Sequence, residues 1–367
     1  MPRKELIKQW GGKGDIFVIA GPCSAETPDQ VMSTAMAMDV GKVDLFRAGI
    51  WKPRTRPASF EGVGTEGLQW LKQVRDRTGM RITTEVANVK HVYEALKAGV
   101  DVLWIGARTT ANPFAVQEIA DALRGVDIPV LVKNPVSPDL NLWIGAIERL
   151  YKAGVRLIGA VHRGFSFYGK SKYRNTPHWQ IALDLKREML DILMVNDPSH
   201  ISGRSDLVPW VAQKAMDLNF DGLMIEVHIN PPQAWSDAKQ QLTPQEFNNM
   251  IDSLIIRKED LPDDNQCVET LEELRDQIDL LDNELINIVA NRMEVVKKIG
   301  EWKKKNNVSV YQSSRFEKIL DYVRDKARQY NLSERFIETV FKAIHEESIN
   351  KQSKIVNNQD VREGIES

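Results

Sequence analysis

Through the first two-thirds of the chain, short apolar runs rich in β-branched residues alternate with longer stretches whose apolar positions recur every three or four residues. A short continuous apolar run bounded by turn residues reads as a buried strand, and a period near 3.6 as an amphipathic helix. Eight runs of the first kind stand out, at 16–20, 43–47, 81–86, 101–105, 128–132, 155–161, 191–195 and 222–227. Between them, stretches such as 89–98 and 142–153 carry one apolar stripe and end at a glycine, Gly99 or Gly154, which acts as a helix stop. Eight alternating units predict an α/β fold, a closed (β/α)8 TIM barrel over 1–257; a doubly wound open sheet is the competing arrangement.

The pattern then changes. The charged, proline-containing stretch RKEDLPDDNQC at 257–267 reads as a linker, placed at 258–267. Beyond Val268 the only glycines are Gly300 and Gly364, and proline is absent. Leu271, Leu274, Ile278, Leu281, Leu285, Ile288, Val295, Ile299 and Trp302 fall at helical spacing. This predicts a small all-α domain over 268–355: one helix of about 35 residues, then helices near 313–330 and 333–351. A polar tail at 356–367 is expected to be disordered.

Composition narrows the partners. With 49 basic and 51 acidic residues, nothing favours nucleic acid, although local cations can still gather around a small anion. No apolar run approaches the roughly 18 to 20 residues that span a bilayer, so no membrane span is expected. The N-terminus MPRKELIKQWGG lacks the apolar core of a signal peptide, and Cys23 and Cys267 lie far apart. A reducing cytoplasm is the simplest setting.

Polar residues at the C-terminal ends of the eight runs are Cys23, Arg47, Glu85, Arg108, Lys133, Arg163, His200 and Glu226. In a barrel these ends converge on one face. Singly, each has a bland explanation: a packed cysteine, a hydrogen-bonded histidine, a solvated cation. Together, Arg47, Arg108, Lys133 and Arg163 would repel one another unless an anion such as a phosphorylated carboxylic acid compensates them. Cys23, His200, Glu226 and Asp237 form a sulfur, nitrogen and oxygen set for a borderline divalent metal ion, Mn foremost and Fe, Co or Zn as alternatives. Lys52, Pro53, Arg54 and Thr55 could grip a phosphate with two cations and a hydroxyl.

The motifs GPCSAE, RAGIWKPRT, TEV, IGAR, DPSH and GLMIEVH, followed by Ser236 and Asp237, closely resemble the type I 3-deoxy-D-arabino-heptulosonate 7-phosphate synthases of the short β-subfamily, over about residues 1–257. The resemblance implies metal ligands Cys23, His200, Glu226 and Asp237. It implies phosphoenolpyruvate bound by Arg47, Lys52, Arg108, Lys133 and Arg163, erythrose 4-phosphate met by Arg54 and Thr55, and a water oriented by Glu85. For proton transfer the sequence leaves Lys52 and a metal-held water as alternatives. The chain departs from the family pattern at His162, where an acid is usual, and at Thr109, Thr110 and Ala111 after IGAR.

Residues 268–352 resemble the all-helical chorismate mutases, through the pattern LxxLRxxID, LDxELxxxxxxR and the lysines that follow. The resemblance implies site residues Arg275, Arg292, Lys303, Arg315, Ser348 and Gln352, with Lys303 and Gln352 serving the ether oxygen of chorismate as it rearranges to prephenate. Phe316 stands where the family has a glutamate, with Glu317 one place late and Gln312 where an acid is common. Arg275 precedes Lys303 by 28 residues, about 42 Å of helix, so a shared site needs a second chain and hence a homodimer through the helical domain. The leading expectation is a bifunctional shikimate-pathway enzyme whose synthase is inhibited by prephenate, or chorismate, bound to the helical domain. That regulatory expectation also rests on how close to residue 1 the barrel starts, without room for an N-terminal regulatory extension. The alternative is a synthase whose helical domain is mainly a regulatory ligand-binding module with weak or no mutase activity.

Overall fold

In a computed structural model, residues 1–53, 60–169, 171–257 and 265–357 are described, with side chains of the last segment from Val268 onward. The chain divides into two compact units, Met1–Glu259 and Asp260–Ser367.

The first unit is a closed, all-parallel barrel in sequence order. Its strands are β1 (Phe17–Gly21), β2 (Leu45–Arg47), β3 (Arg81–Val86), β4 (Val102–Ile105), β5 (Val130–Lys133), β6 (Ile158–His162), β7 (Leu193–Asn196) and β8 (Gly222–Glu226). Closure comes from β1 against β8, with Gly21 in register with Glu226. The fold is therefore the TIM barrel and not the open sheet. Several strands begin one to three residues later than the apolar runs. Val43, Ile128 and Val155 are buried, but they lie in the turns leading into the strands, where burial without a hydrogen-bonded ladder leaves the same sequence signal.

Alternation along each strand separates two apolar layers. Phe17, Ile19, Leu45, Val102, Trp104, Leu131, Val161, Leu193, Val195 and Met224 fill the lumen. Val18, Ala20, Phe46, Ile82, Leu103, Ile105, Val130, Val132 and Ala160 face the surrounding helices. The lumen series ends, strand by strand, at Arg47, Glu85, Lys133 and Glu226, so the alternation itself aims these side chains inward. Helix limits follow local chemistry. Asp139 accepts from Leu142 N (2.9 Å) to start Leu140–Ala153, and Gly154, at φ 97°, ends it.

The opposite end of the barrel is sealed by an element too short for a periodicity argument. Helix Arg3–Gln9 places Leu6, Ile7 and, just beyond it, Trp10 in the lumen cluster. At that rim three aspartates, each directly preceding a strand, tie down a neighbour: Asp44 accepts from Val18 N, Asp101 from Ile82 N and Asp221 from Met194 N.

Among the described residues, the second unit holds three helices, Asn265–Lys305, Ser313–Gln329 and Glu334–Val356. The first starts inside the stretch expected to be linker, since Asn265, Gln266 and Cys267 contain no helix breaker; residues 258–264 lie outside those described. The third ends at Val356, at the edge of the segment expected to be disordered, and 358–367 are likewise outside the described residues. Among the described residues the buried apolar set is small, Met293, Val296, Val323 and Ala327. Leu274, Ile278, Leu281, Leu285 and Ile288 are all exposed along the first helix.

Candidate active sites

At the C-terminal mouth of the barrel, Cys23 follows β1 and is fully buried, as is Glu226 at the end of β8. One ligand atom from each of Cys23, Glu226 and Asp237 lies within 4.8 Å of the others. Cys23 Sγ donates to Asp237 Oδ2 (3.3 Å). Asp237 adopts a left-handed backbone, φ 48°, uncommon for a residue with a Cβ. The loop is held there by Ser24 Oγ against Ser236 Oγ (2.6 Å), by Cys23 N donating to Gln241 Oε1 (2.9 Å), and by Gln241 Nε2 donating to Ser236 O (2.9 Å). His200, expected in the same set, stands beside this group: its Nε2 is 3.7 Å from Glu226 Oε1 and its Nδ1 2.8 Å from Asp197 Oδ2.

The electrostatics are those of electron-rich donors packed together. Burial, then Glu226, push the Cys23 thiol up to about 12, while Lys52 opposes them. Lys52 Nζ donates to Cys23 Sγ (2.8 Å) and Cys23 O (2.9 Å). Burial alone would lower Lys52, but Cys23, Glu226 and Asp237 outweigh it and raise it. A thiol and two carboxylates at this spacing fit a borderline divalent cation, which would displace the thiol proton and relieve carboxylate repulsion.

Beside them is a cationic floor. Arg47, 1% exposed, donates through Nη2 to Glu226 Oε1 (3.1 Å), while its Nε and Nη1 are buried without a partner. Lys133 Nζ pairs with Asp197 Oδ2 at 2.9 Å. The Trp104 ring lies under both cations, 5.1 Å from Arg47 and 5.7 Å from Lys133. Arg163 donates to Asn175 Oδ1 (2.8 Å), and burial, reinforced by Arg174 and Arg108, pulls it down to about 10. Glu85 accepts from Trp104 Nε1 (3.0 Å), and a Cβ on Gly106 would sit 2.1 Å from Glu85 Oε1, so the IGAR glycine makes room for this carboxylate. Arg108 is exposed on the short helix after β4. Arg54 and Thr55 lie outside the described residues.

A family model for the DAHP synthetase I family matches residues 4–260. The chain belongs to that family. A second model, chorismate mutase type II, matches residues 274–353, so this DAHP synthase chain carries both a transferase and an isomerase domain of the shikimate pathway. Phospho-2-dehydro-3-deoxyheptonate aldolase of Thermotoga maritima is 31% identical over 243 residues, 66% of this chain and 70% of that one. The solved structure of that aldolase superposes with a TM-score of 0.59 at 30% identity, covering 66% of this chain and 68% of the other. A 2-dehydro-3-deoxyphosphooctonate aldolase of Helicobacter acinonychis is 27% identical over 65% of this chain and 94% of its own length.

The structure locates His162, Thr109 and Thr110, where the chain departs from the expected motifs. His162, one residue short of the lumen-facing Arg163, points to the helix layer among Phe165, Trp179 and Phe220. Its Nε2 approaches Pro177 O (2.5 Å) and its Nδ1 Asn196 Nδ2 (3.1 Å), a pattern met by the neutral ring with its proton on Nε2. Thr109 and Thr110 are buried in the short helix after β4, Thr110 Oγ1 donating to Gly106 O (3.2 Å).

The mouth of the barrel also holds polar residues that the sequence did not single out. Asp197 is fully buried, pairs with Lys133 and His200, and caps its own helix by accepting from His200 N (3.0 Å). Its carboxyl lies well below the ordinary range: burial opposes this, and His200 and Lys133 overcome it. Arg174 donates to Asp237 Oδ1 (2.9 Å), and Gln240 Nε2 to Glu226 Oε2 (2.7 Å). The DPSH motif contained the only signal for Asp197; Arg174, in a loop, and Gln240, at the end of the short 3-10 helix Ala238–Gln240, had none.

In the helical unit, Arg292 Nη1 donates to Ser348 Oγ (2.7 Å) and Lys303 Nζ to Val310 O (2.6 Å). Gln352 is 7% exposed, and its Oε1 has no partner. Arg292, Lys303, Ser348 and Gln352 are thus gathered between the first and third helices. Arg315 is exposed at the start of the second, and Arg275 is exposed and paired with Glu272 (2.5 Å), far along the first helix from Lys303.

Proposed function

We propose that the barrel condenses phosphoenolpyruvate with erythrose 4-phosphate to 3-deoxy-D-arabino-heptulosonate 7-phosphate, and that the helical domain rearranges chorismate to prephenate. The observation that carries the first reading is the buried guanidinium of Arg47, with two donor atoms unpaired beside Lys133 and Arg163. An anionic carboxylate and phosphate satisfy those donors and offset the mutual repulsion of the cations. Arg47, Lys133, Arg163 and Arg108 bind and orient phosphoenolpyruvate. Lys52 joins them on phosphoenolpyruvate, Arg54 and Thr55 take the sugar phosphate, and Lys52, hydrogen-bonded to Cys23 Sγ, serves as the proton carrier. Glu85 orients the water that adds at C2 before phosphate leaves. Cys23, Glu226 and Asp237, with His200, would hold a divalent ion, Mn by first preference. When bound, that ion supplies Lewis-acid polarisation of the aldehyde oxygen. A thiol ligand suits a reducing cytoplasm.

The rearrangement needs no nucleophile, only cations for two carboxylates and donors for an ether oxygen that gains charge. Arg292 and Arg315 serve the former, Lys303 and Gln352 the latter. Arg275 enters from a second copy: the exposed apolar face at Leu274, Ile278, Leu281, Leu285 and Ile288 suits a homodimer formed through the long helices.

Rates on phosphoenolpyruvate with erythrose 4-phosphate, and separately with arabinose 5-phosphate, test the first activity; preference for the five-carbon sugar would overturn it. Conversion of chorismate to prephenate tests the second. The placement of Phe316, where the mutases carry glutamate, favours a second reading in which the helical domain is mainly regulatory. In either case prephenate bound at Arg292 and Lys303 inhibits the synthase, for which a state-dependent affinity difference of about 2 to 3 kcal/mol suffices. Comparing prephenate inhibition in the full chain and in Arg292→Ala tests this; equal inhibition would place the effector in the barrel.

A further inference from the structure

In the helical unit a histidine outside the site assigned above stands among its residues. His345 lies three residues before Ser348 and seven before Gln352, spacings that put all three on one face of the third helix. Its ring stacks on Phe316 of the second helix, centroids 3.9 Å apart and planes within 21°. Tyr311, in the connection from the first helix, meets it edge-on at 6.2 Å. Two aromatic contacts from two elements fix the imidazole plane and leave its nitrogens at the ring edge. No hydrogen-bond partner is found for either nitrogen among the described residues. Burial, then Arg292 and Lys303, lower its pKa, so near neutral pH it is a neutral ring with one donor and one acceptor.

The neighbouring groups are already matched. Arg292 and Lys303 are obligate donors, suited to carboxylate and ether oxygens. Ser348 Oγ accepts from Arg292 and donates to Ile344 O (2.6 Å), using its only proton. A ring hydroxyl is both donor and acceptor, and an edge-presented neutral imidazole complements it. We propose that His345 is a specificity-determining residue of the mutase site, its imidazole hydrogen-bonding the ring hydroxyl of the dicarboxylate substrate. The proposal rests on the mutase reading. It gives Phe316 a purpose: with no carboxylate at that position, the phenyl ring becomes the platform that orients the histidine.

The test uses the full chain with His345→Phe, which keeps the stack and removes both nitrogens, and His345→Gln, which keeps hydrogen bonding without the stack. Turnover is measured on chorismate and on the analogue with hydrogen in place of the hydroxyl. Affinity is measured by calorimetry for a bicyclic dicarboxylic ether resembling the rearranging geometry, with and without its hydroxyl. Loss of one buried hydrogen bond predicts that His345→Phe loses about 10- to 100-fold in kcat/KM and in affinity on the hydroxylated compounds. On the deoxy compounds it should lose little, and His345→Gln should recover part of the loss. Equal losses on both kinds of compound, or no loss on either, would overturn the proposal. A wild-type chain that turns over no chorismate but binds the hydroxylated ether through His345 would remove the mutase reading and leave the assignment standing. Binding of neither ether by the wild type would overturn both.

Discussion

His162 offers a quantitative test of how the barrel wall is built. Burial holds its imidazole at about 4 in the folded chain, against an ordinary value near 6.5. The folded state therefore prefers the neutral ring. Above about pH 6.5 the ring is neutral folded or unfolded and costs nothing. As pH falls below 6.5 the unfolded chain takes up the proton first, and stability is lost until the folded ring also titrates near pH 4. Linkage makes the loss about 2 kcal/mol by pH 5 and about 3 kcal/mol below pH 4. His162→Phe keeps a ring among Phe165, Trp179 and Phe220 while removing the titration and the two polar contacts. At about pH 7.5 the variant should be less stable by roughly 1 to 3 kcal/mol, the cost of a buried carbonyl and amide left without a partner. That deficit should shrink by about 2 kcal/mol at pH 5, because only the wild type suffers the protonation penalty. Urea unfolding of the barrel transition at both pH values measures the two quantities. A deficit unchanged with pH would refute a neutral, buried His162.

Three further outcomes are expected. Chelation should abolish synthase activity and Mn restore it, with Cys23→Ala weakening metal affinity in calorimetry while the barrel's circular dichroism is retained; full activity of a rigorously metal-free sample would count against the Cys23, Glu226 and Asp237 site. Asp197→Asn leaves the Lys133 ammonium buried without its counter-charge, so stability should fall by about 3 to 5 kcal/mol, and phosphoenolpyruvate should recover part of the loss in a thermal-shift measurement. Mixing Arg275→Ala with Lys303→Ala chains should regenerate mutase activity through one intact site per heterodimer; no recovery after demonstrated subunit exchange, with both variants folded, would refute a shared site.

Periodicity alone specified eight βα units followed by three helices, because a strand buried on both faces and a helix buried on one leave different spacings in the chain. It also carried the list of polar strand ends, and with them most of the barrel's mouth. It could not say which face a residue at a strand end takes. His162 and Arg163 are adjacent in sequence, and only the register of the closed sheet sends one to the helix layer and the other to the lumen. Nor could it find partners that closure brings together: Arg47 and Glu226 are 179 residues apart, and Cys23 and Asp237 are 214 apart. Asp197 is the clearest case. Its sequence context offers a helix cap, which it is, while its pairing with Lys133 and His200 exists only because β5 and the loop after β7 meet across the mouth. The plug formed by Leu6, Ile7 and Trp10 was silent for another reason: a helix of 7 residues is too short for its stripe to repeat, and only the open end of the barrel gives it something to bury. Local spacing is written in the chain because it reflects the backbone's own geometry; charge pairing and facing depend on distances that exist only after the sheet has closed.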